Sequence, residues 1–200
     1  MTRHIASQDG WLRISARDGQ LAVAGQPALF KGYRVAGGDG VFVEWDWDGE
    51  RLSARTCATG FMPLYYYFDG GQMAVATRIA DLFEATGAAP AICPASLGVL
   101  LRLGFMVGNR TPFAGVMVLG PQGTITWRPG SLPEVRWSYP APDPSLACGD
   151  IRATYVEMFR ESMARICAIM SDDVAVPLSG GRDSRHIALE LHRSGRKPRF

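Results

Sequence analysis

Val174-Ala-Val-Pro-Leu178-Ser179-Gly180-Gly181-Arg182-Asp183-Ser184 is the stretch whose reading decides the rest. Its first five residues are a short apolar run and read as a buried strand. Residues 185–193 behind it read as a helix, with Gly195 as its C-terminal stop. The remaining six residues lie where a strand hands over to a helix. Amides at a helix N-terminus lack intrahelical partners and carry partial positive charge, so such a turn is a seat for phosphate. Gly180 and Gly181 let the backbone approach an anion and adopt positive φ, forming a nest of N–H groups. Ser179 and Ser184 add hydroxyls, and the Asp183 carboxylate suits a Mg²⁺ ion bridging phosphate oxygens. The loop is not a GxxxxGK[ST] loop, whose lysine it lacks. The residues alone leave one alternative open, a glycine-rich structural turn with Asp183 as helix cap.

Working outward, Ile151, Tyr155, Phe159, Met163, Ile166 and Met170 recur every three or four positions, which predicts a long helix ended by Asp172-Asp173. Lys197-Pro-Arg-Phe200 looks like the approach to another strand. Upstream, prolines at 129, 133, 140, 142 and 144 mark a connector. The first half reads as strands and turns. Residues 12–15 and 21–24 flank Arg17-Asp-Gly-Gln20, residues 41–47 and 51–57 flank Asp48-Gly49, and residues 65–68 and 73–76 flank Asp69-Gly70-Gly71. Alternation puts Val41, Val43, Trp45 and Trp47 on one face, opposite Phe42, Glu44 and Asp46. Residues 76–84 and 96–105 read as short helices, the second behind Pro94. Residues 116–119 and 124–127 are joined by Gly120-Pro-Gln-Gly123, another turn. The aromatics Trp45, Trp47, Tyr65, Tyr66 and Tyr67 read as sheet core.

Composition bounds the function. The chain has 200 residues, 47% apolar and 20% charged, room for one ordinary domain or two small ones. A formal net charge of +2 gives no reason to expect nucleic acid as partner. Cys57, Cys93, Cys148 and Cys167 form no CxxC pair, and only His4, His186 and His192 offer imidazole, so neither a zinc site nor a disulfide framework is expected. His186 and His192 lie six apart and read as ordinary helix residues. Cys57 reads as a buried structural thiol. The first ten residues carry no apolar core of a secretory signal, and residues 97–107 are broken by Arg102 and too short for a membrane span. The expectation is a cytoplasmic protein without a membrane partner.

Ser179–Ser184 matches SGGxDS, which resembles the pyrophosphate loop of the ATP-pyrophosphatase class of N-type ligases. Five fixed positions occur by chance in roughly one chain of this length in several thousand. The upstream half selects among the families that share this loop. Arg55-Thr-Cys-Ala-Thr-Gly60-Phe-Met-Pro63-Leu64-Tyr65-Tyr66 resembles the ARDxxGxxPLYY segment of asparagine synthetases. Ala76-Thr-Arg-Ile-Ala-Asp-Leu82-Phe83 is similar to the "ASEIKAL" helix that follows it there. Thr111-Pro-Phe-Ala-Gly115-Val116 and Leu119-Gly-Pro-Gln-Gly123 are similar to the family's "TPFxGIxxLPPG" stretch. The segments occur in the family's order over roughly residues 40–195.

The resemblance implies an α+β sheet domain of the N-terminal-nucleophile (αββα) kind, shortened, over residues 1–128, then a connector over 129–145. Residues 146–200 would be the first part of an α/β Rossmann-like ATP-pyrophosphatase domain. It implies ATP and Mg²⁺ as cofactors, bound by Leu178 on the adenine side and by Ser179, Gly180, Gly181, Asp183 and Ser184, with Asp183 the metal ligand. The implied reaction is that of an ATP-dependent carbon–nitrogen ligase. A small-molecule or peptide carboxylate is adenylated, pyrophosphate leaves, and an amine donor attacks. Asparagine formation is one outcome, and closure of β-lactam or lasso-peptide rings by relatives is another. A non-catalytic, nucleotide-binding or structural member is the alternative. Because the chain ends soon after the loop helix, no catalytic residue is assigned within it, acceptor-activating residues are expected beyond Phe200, and these residues alone are expected to be inactive. Arg182 and Arg185 replace the apolar and serine positions of SGGLDSS and read either as a phosphate clamp or as an exposed helix start that tolerates arginine.

One departure concerns the amine source. The family's glutaminase uses a cysteine directly after the initiator methionine, and here that position is Thr2; the glutamine-holding Asn-Gly-Glu segment also has no counterpart. Incubation of the protein with glutamine should therefore yield no glutamate above background. Turnover that Thr2→Ala abolishes would overturn this expectation.

Overall fold

The computed structural model describes residues 5, 6, 8–17, 19–147 and 149–200. The described residues form a mixed α+β structure with two antiparallel sheets and four α-helices. The described chain divides into two compact units, one of Ile5–Arg34 and Asp39–Pro140, the other of Val35–Gly38 and Ala141–Phe200. No helix among the described residues is long and apolar enough to cross a membrane.

In the first unit, β1 (Ile5–Ala6), β4 (Ala28–Arg34), β5 (Gly40–Trp47), β6 (Leu52–Thr56), β10 (Thr124–Trp127) and β11 (Glu134–Arg136) form a six-stranded sheet in that order. β3 (Gln20–Gly25), β2 (Trp11–Arg17), β8 (Gln72–Ala76), β7 (Tyr65–Phe68) and β9 (Val116–Val118) form a five-stranded sheet. The three hairpins expected from turn residues are present, β2–β3, β5–β6 and β7–β8, all antiparallel. Asp18 of the first turn lies outside the described residues.

The inward faces of the two sheets make the main core. Leu12 and Ile14, Val43 and Trp45, Leu52 and Ala54, Tyr66, Met73, Val75, Ile125 and Trp127 meet there, as strand alternation requires. The Trp45 indole N–H is satisfied by the Gln26 carbonyl at 2.8 Å. Tyr65 and Tyr67 lie on the opposite face of their strand, with Ala74, Ala76 and Val116, against Leu82 and Phe83 of α1 (Ile79–Thr86). β8 is thus buried on both faces, which explains its unbroken small and apolar run. The other face of the six-stranded sheet carries Glu44, Asp46, Ser53, Arg55, Thr124 and Thr126, a polar surface.

Several elements differ from the sequence expectations. Ala76 belongs to β8 and the helix starts only at Ile79, because Ala76 pairs with both Trp11 and Tyr65. The helix expected over 96–105 is α2 (Pro94–Leu103), with Pro94 at its first turn and Gly104 in the left-handed conformation at its end. The turn expected after β9 is present, and it joins the two sheets: β9 pairs with β7 and β10 with β6, so the chain there crosses from one sheet to the other. β4 was not expected and pairs with β5 along its whole length. Within the proline-rich stretch, Glu134–Arg136 adds the edge strand β11, paired with β10.

Two buried threonines lock the sheet ends. The Thr56 hydroxyl donates to the Gly120 carbonyl at 2.6 Å and accepts from the Gly123 N–H at 2.9 Å. The Thr77 hydroxyl donates to Asp9 at 2.8 Å and accepts from the Gly10 N–H. The Lys31 ammonium and the Thr77 hydroxyl together hold the Asp9 carboxyl below its ordinary range.

In the second unit α3 (Ile151–Cys167) is capped by the Asp150 carboxylate, which accepts from the amides of Arg152 and Ala153. It stops before Asp172-Asp173; those carboxylates instead meet Arg196 and Arg199. Of the apolar stripe, Met163 is buried, while Ile151 and Tyr155 are exposed. Met163, Val174, Val176 and Leu191 form a small core, with Leu191 supplied by α4 (Arg182–Arg193).

Thr56→Val removes both hydrogen bonds and strands the buried Gly123 amide, so a loss of about 3 kcal/mol is expected, while Thr56→Ser stays within about 1 kcal/mol. Chemical denaturation of the two variants checks this. Equal stability for valine and serine would show that the hydroxyl does not hold the crossing.

Candidate functional site

The loop begins where a strand is barely formed. Residues 174–178 make one parallel bridge, Ala175 with Arg199. The Val176 N–H donates to the Arg199 carbonyl and the Arg199 N–H to the Val174 carbonyl, both at 2.8 Å. The five-residue strand expected here is therefore shorter. Pro177 has no N–H to give, and Leu178 is 50% exposed. The approach to a second strand at residues 197–200 is real, and with α4 between the two segments the arrangement is a minimal β–α–β unit.

The glycines divide the work. Gly180 has φ +76, and a Cβ there would meet nothing, so glycine is required by backbone conformation and not by space. Gly181 is extended, φ −75 and ψ 171, and forms the N-cap of α4. The expected pair of positive-φ glycines is thus one, because Gly181 must already lead into the helix. α4 starts at Arg182, three residues before the expected Arg185, so Asp183 and Ser184 are first-turn residues and not loop. No side chain caps this turn, so Asp183 is not the helix cap that the structural alternative calls for. Acidic Asp183 at the start and His192 and Arg193 in the last turn follow the helix dipole.

The side chains close a loose ring. The Ser179 and Ser184 hydroxyls face each other at 3.3 Å, and Ser179 Oγ accepts from the Gly181 N–H at 3.4 Å. The Arg185 Nε–H donates to the Gly181 carbonyl at 3.1 Å, which occupies that guanidinium with the loop backbone. Arg182 and Asp183 are exposed, and among the described residues neither side chain has a hydrogen bond or ion pair. His186 lies beside the Phe159 ring, centroids 6.3 Å apart.

This donor set fits a magnesium–pyrophosphate group. It offers uncapped first-turn amides, two hydroxyls, one free carboxylate and one free guanidinium on an open surface. No group of three or more His, Cys, Asp or Glu side chains able to hold a metal occurs among the described residues. A hard cation here would take most of its oxygens from phosphate and water, as Mg²⁺ commonly does.

The other singled-out residues support the fold. Cys57 is buried, its Sγ 3.4 Å from the Thr59 hydroxyl. Burial pushes its thiol up, but hydrogen bonds from the Thr59 hydroxyl and from the backbone at Phe42, Thr59 and Gly60 outweigh this and leave it below the ordinary value. Thr111 is buried, with its hydroxyl on the Val116 carbonyl at 2.7 Å. Thr2 lies outside the described residues. A hollow of about 570 Å³ on the six-stranded sheet is lined by Phe30, Glu44, Asp46 and Arg55 among others. Glu44 there is paired with both Arg34 and Arg55, so these charges are committed to one another. No protein-family model and no curated protein matches the chain.

Calorimetry with Mg²⁺ and pyrophosphate tests the fit. Mg²⁺ alone should not bind, and Mg²⁺ with pyrophosphate should. Gly180→Ala forces a residue with a Cβ to φ +76 and should weaken binding roughly 5- to 30-fold, from a strain of about 1–2 kcal/mol. Gly181→Ala, in extended backbone, should cost less. The reverse ranking would refute the assignment of roles to the two glycines.

Proposed function

We propose that this chain serves an ATP-dependent carbon–nitrogen ligase resembling asparagine synthetase, cytoplasmic and without glutaminase activity of its own. The observation that carries the reading is the Ser179–Ser184 loop, set between a parallel β-bridge and α4 with Arg182 and Asp183 uncommitted. In open α/β units, ligands sit outside the carboxyl ends of parallel strands, where this loop lies. On this reading the two-sheet unit is N-terminal-nucleophile-like and the second unit belongs to a Rossmann-like ATP-pyrophosphatase domain.

The substrates are ATP and a small-molecule or peptide carboxylate, with an amine as acceptor. ATP supplies the leaving group that a free carboxylate lacks. The chain's own part is positional and electrostatic. Backbone amides from Gly180 to Ser184 hold the pyrophosphate portion, and the Ser179 and Ser184 hydroxyls orient it. Asp183 holds Mg²⁺, and Leu178 offers an apolar surface on the adenine side. Arg182 is the free cation for charge that grows on the departing group. Arg185, engaged with the Gly181 carbonyl, shapes the loop.

A second reading, nucleotide binding without catalysis, is favoured by one observation: the loop stands on a single parallel bridge and is exposed. Titration with Mg·ATP and exchange of labelled pyrophosphate into ATP separate the two. Asp183→Ala should lower Mg·ATP affinity at least about 10-fold, as loss of a metal-held carboxylate implies, with circular dichroism unchanged. Exchange that depends on an added carboxylic acid supports the ligase. Binding without exchange under any acid tested supports the second reading, and binding indifferent to Asp183→Ala removes both.

A further inference from the structure

The two sheets of the first unit end in β1 and β11 and in β3 and β9, and all but one of these edges are blunted. β1 has two described residues. β11 has three, of which Glu134 and Arg136 are charged. β9 also has three, and its outer side is taken: Arg110 bridges Met117, and the Val118 N–H donates to the Asn109 carbonyl at 2.9 Å. β3 is the exception. It runs six residues, Gln20-Leu-Ala-Val-Ala-Gly25, without a charge or a proline, and is exposed along nearly its whole length. Bonded pairs alternate along an antiparallel ladder, and the Gln26 N–H donates to the Trp11 carbonyl at 2.8 Å. The residues bonded to β2 are therefore Gln20, Ala22 and Ala24, and the N–H and C=O groups of Leu21 and Val23 point away from it. No strand among the described residues takes that side. Val23 pairs with the core residue Ile14, so Leu21 and Val23 stand on the core face of the sheet, yet they are 48% and 41% exposed.

We propose that the β3 edge docks an extended peptide by strand addition, and that this peptide is the one whose carboxylate the ligase activates. The second half rests on the ligase reading above; the first does not. The outward groups of Leu21 and Val23 lie two residues, ~7 Å, apart, so a small carboxylate reaches one set while an extended backbone satisfies both in register. A strand laid beside β3 sets every second side chain against Leu21 or Val23, which selects aliphatic or β-branched residues at those positions. On the other face Gln20, Ala22 and Ala24 are uncharged and mostly small, and select little. Area favours a peptide over a second copy. A six-residue edge is ~20 Å long and offers on the order of 300 Å², far below the ~800 Å² that each partner contributes to a standard interface. Contact of that size suits a substrate that must leave again.

Fluorescence anisotropy of a labelled, capped decapeptide of alternating valine and serine, on the full chain without nucleotide, tests the edge. The peptide should bind. N-methylation of its valines, whose N–H groups face β3, should weaken binding at least ~10-fold, and N-methylation of its serines should not. Val23→Pro removes an outward N–H and leaves the β2–β3 ladder whole, so it should cost at least ~10-fold with unchanged circular dichroism. Should that variant unfold, Leu21→Lys with Val23→Lys keeps the backbone and blunts the edge. Leu132→Lys, at an exposed leucine outside the strands, should change nothing. No binding, binding indifferent to methylated valines or to the β3 variants, or self-association through β3 would overturn the proposal. So would Leu21 and Val23 amides that resist hydrogen exchange in the free chain, since the edge would then be covered from within. Pyrophosphate exchange tests the substrate. For a peptide acid that drives exchange, Val23→Pro should raise KM at least ~10-fold. An unchanged KM, or exchange with small acids alone, overturns the substrate assignment. Exchange that no acid elicits refutes the ligase reading and that assignment together, while the anisotropy result stands apart from both.

Discussion

The crossing from β9 to β10 is the constraint on which the two-sheet unit depends. A chain that leaves one sheet and enters the other must bury backbone without ladder partners, and each unpaired amide there is costly. Thr56 meets this need with one hydroxyl that accepts from Gly123 and donates to Gly120. Backbone bonds complete the lock, Gln122 N–H to the Cys57 carbonyl and Leu119 N–H to the Leu64 carbonyl. The glycines are there for room. A Cβ on Gly120 would meet the Trp137 ring at 2.6 Å, and one on Gly123 would meet Leu119 at 2.4 Å. The Arg55–Tyr66 and Leu119–Gly123 segments, sixty residues apart, are therefore two sides of one joint. Their joint appearance in a sequence has a mechanical reason whatever reaction the protein performs.

Much of the fold could be read because turn chemistry is local. Asp48-Gly49 and Asp69-Gly70-Gly71 need positive φ, and alternation on either side then fixes which residues face inward. β4 escaped for the opposite reason. It follows Pro27 and carries Lys31 and Gly32 in its middle, which look like loop. Gly32 sits at φ +118, where a Cβ would strike the Val41 carbonyl at 2.1 Å, so the glycine permits the strand's close approach to β5. Gly120-Pro-Gln-Gly123 is the expected turn, but a turn sequence does not say whether the next strand pairs with the last. Only the partners decide that, Tyr65 for Val118 and Arg55 for Thr124. Ala76 shows the same limit, since pairing on both sides outweighs helix propensity.

At the phosphate-like loop, residue types were legible and their division of labour was not. The sequence placed Gly180 at positive φ correctly, but gave Gly181 the same task. An α4 that begins at Arg182 demands an extended residue before it, and Gly181 is that residue. The two arginines could not be separated from spacing alone. Arg185 is one helical turn beyond Gly181 and reaches its carbonyl, whereas Arg182, in the first turn, has no carbonyl to reach.

The two units differ in how much of their order they supply themselves. The first has a double-sided β8, an inter-sheet core and satisfied buried hydroxyls, and its strands hold their register without help. The second rests on Met163, Val174, Val176 and Leu191 and one parallel bridge. So small a core leaves local opening cheap, and the loop's hydrogen bonds, at 3.1–3.5 Å, add little rigidity. An anion that draws the amides from Gly180 to Ser184 onto itself would supply the missing order, because any ligand of the folded state stabilises it by mass action. Occupation of the loop and stability of the second unit would then be one equilibrium, and a bound anion would contribute part of the energy that shapes the loop.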